Sequence, residues 1–200
     1  MKKFVFLCAV AASVLAGPAH AVVIDFNDMP VNTILTDQYA DLGVTFSAYE
    51  DGEEVPLAVV SDFGAPDYGN YLANLPNNSF SYDLRHDLVR LDFSSTLESL
   101  SLDVTSHGSL SVTFNAYGLD GALLETLSLG NTYAFRTVNF SAQGIARLDV
   151  LQPQDNWVYG LDNITFELAA PATDVPEPAT LGLLGLGALG VAGFRRRKSA

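Results

Sequence analysis

Leu110-Ser111-Val112-Thr113-Phe114-Asn115-Ala116-Tyr117 and, just upstream, Leu100-Ser101-Leu102-Asp103-Val104 trade apolar and polar residues at nearly every step. Successive side chains of an extended chain point to opposite faces, so a period of two marks a strand with one face in a core and the other in water. Leu119-Asp120-Gly121-Ala122 then leads into a further strand pattern from Leu123 to Leu129. Asp-Gly between two such runs is a hairpin signal.

The same rhythm extends in both directions. Strands are expected at Val22–Phe26, Val44–Tyr49, Leu57–Val60, Ser79–Leu84, Leu88–Phe93, Leu97–Val104, Leu110–Tyr117, Leu123–Leu129, Ala134–Phe140, Ile145–Val150 and Tyr159–Leu168. Sustained helical periodicity is missing between them, and turn residues separate the runs. Repeated strand and turn units at this spacing predict an all-β domain, a β-sandwich of the jelly-roll kind built from two antiparallel sheets. No internal sequence repeat stands out.

The two ends carry a different message. Lys2 and Lys3, the apolar stretch Phe4 to Leu15 and the small residues of Ala19-His20-Ala21 predict a secretory signal peptide over residues 1–21, cut after Ala21. Residues 22–168 are the expected sandwich and residues 169–174 a short linker. Within residues 175–200, Val175-Pro176-Glu177-Pro178 precedes 16 uncharged residues, Ala179 to Phe194, and then Arg195-Arg196-Arg197-Lys198. As a helix, 179–194 would span roughly 24 Å, short of a hydrocarbon core but extended by the snorkelling basic side chains. A transmembrane helix is expected there. Residues 195–198 should stay on the cytoplasmic side, leaving the rest of the chain outside the inner membrane.

Val175-Pro176-Glu177-Pro178-Ala179-Thr180, a Gly/Leu/Ala-rich span and a basic tail together resemble the PEP-CTERM sorting signal of Gram-negative bacteria that make exopolysaccharide. That resemblance implies an exosortase partner, which would cut near the Pro-Glu-Pro motif and release the chain from a transient inner-membrane anchor to the cell surface or extracellular matrix. Pro176 and Pro178 fix φ and bias the residues before them toward extended conformations, so the motif presents a preordered peptide. A second resemblance covers Ile24 to Pro30, Thr36 to Phe46 and Tyr159 to Phe166. These segments are similar to the opening and closing parts of many PEP-CTERM ectodomains, whose jelly rolls are related to carbohydrate-binding and galactose-binding-like modules.

Composition narrows the chemistry. Between Val22 and Glu167 there are 4 arginines and no lysine against 21 Asp and Glu, a balance that repels nucleic acid. The sole cysteine, Cys8, lies in the signal peptide, so the exported part has neither disulfide nor thiol nucleophile. His86 and His107 form no metal-ligand pair and read as exposed loop residues; no nucleophile elbow or phosphate-binding glycine loop occurs. The chain therefore reads as non-catalytic, with a glycan-active hydrolase and a purely structural surface protein as alternatives.

Two candidate sites remain. Asp25 and Asp28 flank the exit of the first strand, and Asp162 and Asn163 lie in the last, which commonly neighbours the first in such folds. Calcium takes six to eight oxygens, and the resemblance to carbohydrate-binding modules implies a structural calcium on Asp25 and Asp162, with Asp28 and Asn163 helping. The second site is a sugar platform, in which Trp157 and Tyr159, or Tyr68 and Tyr71, stack on a pyranose of exopolysaccharide.

Overall fold

The structure is a computed structural model that describes residues 21–61, 69–79, 86–106, 111–130, 132–152 and 158–169. The chain divides into two units, residues 1–169 and 170–200, and the described residues belong to the first. In chain order its strands are β1 (Val22–Ile24), β2 (Ile34–Leu35), β3 (Val44–Glu50), β4 (Glu53–Val55), β5 (Leu57–Ser61), β6 (Asn70–Ala73), β7 (Leu88–Ser106), β8 (Val112–Tyr117), β9 (Leu123–Leu129), β10 (Thr132–Asn139), β11 (Ile145–Leu151) and β12 (Tyr159–Leu168). One 3-10 turn, Ala40–Leu42, precedes β3.

β7 organises the rest. It is 19 residues long, and its two halves have different neighbours. Residues 88–93 lie between β3 and β11, whereas residues 99–106 lie beside β12, with β10 along most of the other edge. One layer is therefore β4-β3-β7-β11-β8-β9, and the other runs from β10 through β7 to β12, whose far edge holds β6 and β1, with β5 and β2 beyond. Every pairing is antiparallel among the described residues. The all-β sandwich expected from the sequence is present, with one strand shared by both layers.

A slip in the apolar pattern explains how one strand serves both. Val89, Leu91, Phe93 and Leu97 face inward at odd positions, but Leu100, Leu102 and Val104 face inward at even ones. An extra residue near Glu98 and Ser99 flips the parity, as a bulge does, and bends the strand from one layer into the next. The expected strands Leu88–Phe93 and Leu97–Val104 leave a break at the polar stretch Ser94-Ser95-Thr96. In the folded chain the extended conformation continues and only the partners change.

The layers meet in a single core. Phe93 of β7 packs edge-on against Phe166 of β12, with ring centroids 5.2 Å apart. Tyr159 of β12 is fully buried and donates its hydroxyl to the Val150 carbonyl of β11 at 3.0 Å. Phe26, Tyr39 and Phe46 close one side as three mutually edge-packed rings; each fully buried large side chain contributes about 1.5–3 kcal/mol.

A second cluster, Val60, Tyr71, Ala73, Leu75 and Val158 with Phe135 against it, covers the other face of β5 and β6. Burial on both faces is what the unbroken run Leu57-Ala58-Val59-Val60 requires. Gly160 makes room for it, since a Cβ there would stand 2.8 Å from the Tyr71 ring.

Boundaries of β9 and β12 fall where the sequence places them, and the Asp120-Gly121 hairpin closes as expected, with Gly121 at φ 77° and Gly118 N donating to the Ala122 carbonyl. β2, β4 and β6 are additions. The strand expected at Ser79–Leu84 lies outside the described residues except for Ser79, which is not in a strand. Among the described residues no helix is long and apolar enough to cross a membrane. The span expected at 179–194 lies outside them, as do the signal peptide, Val175 to Pro178 and Arg195 to Lys198.

Candidate functional site: a charged ladder on the outer face of one layer

The tripeptide Arg-Leu-Asp occurs twice in the domain, at Arg90-Leu91-Asp92 in β7 and Arg147-Leu148-Asp149 in β11. The strands are antiparallel, so register sets Arg90 opposite Asp149 and Arg147 opposite Asp92, while both leucines turn into the core. Arg90 donates two parallel hydrogen bonds to Asp149, Nε to Oδ1 at 2.8 Å and a terminal nitrogen to Oδ2 at 3.0 Å. This fork geometry is the strongest form of the pair. Arg147 Nε is 3.5 Å from the same carboxylate.

Aromatic rings close the ladder at both ends. The Arg147 guanidinium lies 4.2 Å from the centroid of Tyr117 in β8, and that of Arg90 lies 5.2 Å from Tyr49 in β3. A cation over a ring face is attracted by its quadrupole. The hydrogen bonds that Arg90 donates to Asp149 hold it firmly protonated. Asp92 is pushed upward from its ordinary value by desolvation, a shift that Arg90 and Arg147 oppose.

Beside the ladder lies an open groove of about 200 Å³, lined by Ala40, Gly43, Val44, Thr45, Asp92, Phe93 and Ser94. Gly43 shapes it at φ 96°, where a Cβ would come within 2.7 Å of Leu168. Asp92 belongs to both groove and ladder. Planar guanidinium donors, carboxylate acceptors and two tyrosine rings on one rigid sheet face are the groups that bind hydroxylated ligands. Sequence reasoning counted these charges but did not pair them; the repeated tripeptide was the available signal.

The residues singled out from the sequence fall elsewhere. Asp25 accepts from Asn27 N at 3.1 Å, and Asp28 accepts from the Tyr39 hydroxyl at 2.6 Å. Asp162 accepts from Asn163 N at 2.7 Å, while the Asn163 amide donates to Asp103 at 3.0 Å. Asn163 sits at φ 45° in an irregularity of the β12–β7 register. Asp162 is 7% exposed, and its pKa is pushed up to about 7 by burial first and then by the charges of Asp25 and Asp103, against a lowering from the Asn163 backbone bond.

Asp25 and Asp162 are thus near enough to feel each other. Among the described residues, however, no three His, Cys, Asp or Glu side chains gather to hold a metal ion. Of the sugar-platform residues, Tyr159 fills the core and Tyr71 is buried in the second cluster, 7% exposed. Tyr68 and Trp157 lie outside the described residues. His86, expected in an exposed loop, is 2% exposed, because it packs where the β3–β4 hairpin meets the start of β7.

The fold and the ladder define an all-β sandwich domain with a polar, aromatic-edged sheet face. The particular signature lies in the tail: residues 174–198 match the PEP-CTERM protein-sorting motif. No curated protein matches the chain. Solved structures similar to it include family 29 carbohydrate-binding modules. One, complexed with mannohexaose, is 16% identical, with 76% of this chain and 93% of that one covered at a TM-score of 0.36. Another variant of that module is 15% identical, covering 80% and 99% at a TM-score of 0.40. A third, complexed with cellulohexaose, is 14% identical, covering 63% and 92% at 0.34.

Proposed function

We propose that this is an exported, exosortase-processed protein of the cell surface or extracellular matrix that associates with exopolysaccharide through the ladder face and performs no catalysis. The sorting motif at 174–198 carries the reading of export and processing. Its chemistry accounts for the rest of the route: an apolar peptide would hold the chain in the inner membrane while Pro-Glu-Pro, whose prolines favour an extended backbone, meets the transpeptidase-like exosortase. Cleavage then frees a domain whose acidic surface keeps it soluble and away from anionic lipid.

Binding through the ladder is supported by its rigidity. Arg90 and Asp149 are locked in a bidentate pair, and Tyr49 and Tyr117 are held by the arginines. Sugar hydroxyls would bond the outer lone pairs and N–H groups, with ring faces packing on tyrosine. A carboxylate committed to an arginine is a poor general base, which favours binding over hydrolysis.

The test has two arms. Mass measurement of the chain from cells with and without exosortase should find the tail removed only when the enzyme is present; an intact tail in both rejects processing. Pull-down on the producer's own exopolysaccharide should retain native protein and lose most of the Tyr49→Ala/Tyr117→Ala variant. Equal retention, or none for either, removes the ladder as the contact face.

A further inference from the structure

His86 is placed by main-chain bonds on both sides: its own N–H donates to the Asn74 carbonyl at 2.9 Å, and the next residue, Asp87, donates to the Tyr49 carbonyl at 3.1 Å. The ring is 2% exposed. Nε2 lies 2.7 Å from the Pro56 carbonyl oxygen, which can only accept, so Nε2 carries the proton. Burial disfavours the charged ring, and Nδ1 keeps its lone pair.

Among the described residues that lone pair has no hydrogen-bond partner. It faces the Glu50 carboxylate, with Nδ1 3.9 Å from Oε2. Two acceptors cannot bond each other, and 3.9 Å exceeds hydrogen-bond reach. An electropositive species between them would satisfy both. Zinc binds imidazole nitrogen at about 2.0–2.1 Å and carboxylate oxygen at about 2.0–2.2 Å, so two such ligands stand about 3.4 Å apart in a tetrahedral site and farther as the angle opens. Glu50 is 44% exposed at its side chain and can close the remaining half ångström by a small rotation.

Around it the hairpin reads Glu50-Asp51-Gly52-Glu53-Glu54, an anionic rim that attracts a cation. The Pro56 carbonyl meanwhile does what outer partners do for ligating histidines: it fixes the tautomer and aims the free nitrogen. We propose that His86 Nδ1 and Glu50 Oε2 form a two-ligand site for a borderline divalent cation of the zinc class, with water completing its coordination. An imidazole donor selects such ions over calcium and magnesium.

The purified full-length chain in detergent is titrated with zinc chloride at neutral pH, following the heat of binding and the melting temperature, with magnesium chloride in parallel. One zinc equivalent should bind and raise the melting temperature while magnesium does neither. Glu50→Gln should weaken binding about tenfold or more. His86→Gln keeps an amide donor for Pro56, removes Nδ1 and should abolish the site; His107→Gln should leave it intact. Absent zinc binding, or equal binding by native protein and Glu50→Gln, overturns the proposal. Should His86→Gln not fold, the exposed Glu50→Gln variant decides alone.

Discussion

Along the first half of β7, Asp92 and Asp149 face arginines across the strand pair; along its second half, Asp103 lies directly opposite Asp162 with Asp25 close by. In the first region opposite charges meet in register and a carboxylate is tied by two short bonds. In the second, among the described residues, no basic side chain bonds to the three acids, and like charges opposed across a sheet repel. Different devices relieve them. The Thr137 hydroxyl donates to Asp103 at 2.5 Å, the Asn163 amide donates to its other oxygen, and Asp162 retains a proton to about pH 7. One strand thus shows the two ways a β-sheet can keep carboxylates partly buried: pairing with a permanent cation, or protonation.

The largest break in the comparison is expected from Arg90→Ala. It removes both short bonds to Asp149, whose side chain is 9% exposed, and leaves the carboxylate only the Arg147 contact at 3.5 Å. Removal of one partner of a buried pair costs about 3–5 kcal/mol; the remaining arginine and the partial exposure of Arg90 put the loss near the lower figure. Denaturant unfolding of Arg90→Ala, Asp149→Leu and the double variant Arg90→Met/Asp149→Leu should find the double variant more stable than Arg90→Ala. Equal losses would deny the coupling.

Asp162→Asn should act in the opposite direction. A folded pKa of about 7 against an ordinary 3.8 means that the folded state binds the proton more tightly. The resulting stability is complete below about pH 4 and lost as pH rises through 7. The variant should be more stable than native at pH 8 by about 1–3 kcal/mol. Destabilisation at pH 8 would place the Asp162 charge among the stabilising groups.

His86 sharpens the profile with the reverse slope. Burial lowers its pKa from 6.5, so its contribution is present above pH 6.5 and lost as pH falls below it. With chelator present, Asp162→Asn should melt at a temperature that rises with pH up to about 6.5, whereas His86→Gln should melt lower as pH climbs from 4 to 7. The smallest change is Thr137→Val, which removes one neutral donor from Asp103 and should cost about 0.5–1.5 kcal/mol at neutral pH, measured by denaturant midpoint.

How much of this was legible in the chain depended on the range of the forces involved. β9 and β12 could be bounded from their own alternation, and the Asp120-Gly121 turn from its backbone chemistry. β4, Glu53-Glu54-Val55, carries residues that disfavour strands by themselves, and it exists because Ala48 to Glu50 supply a partner. β2 is two residues and β6 four, too short for any period to register. The continuity of β7 was hidden by Ser94-Ser95-Thr96, a polar stretch that interrupts the alternation, while the parity slip at Glu98 and Ser99 falls inside the second expected strand. The ladder needed register between residues 59 apart, and Arg-Leu-Asp in two strands was the clue to it. Asp162 was singled out as a calcium ligand; the crowding around it depends on Asp103, which reads in the sequence as one polar step in an alternating strand.

The sharing of β7 also has a mechanical side. If the chain is tethered through its C-terminal end before cleavage, the pull arrives at Leu168, and β12 is gripped along both edges, by β7 on one and by β1 and β6 on the other. Tension along β12 loads those rungs side by side in shear, so they do not open one at a time like a zipper. If the ladder face is the end held by a polymer, the load crosses from β12 into the far half of β7 and runs along a single continuous backbone to Arg90. Drag on the surrounding gel would then travel through covalent bonds within one strand, bypassing the contact between the two sheets.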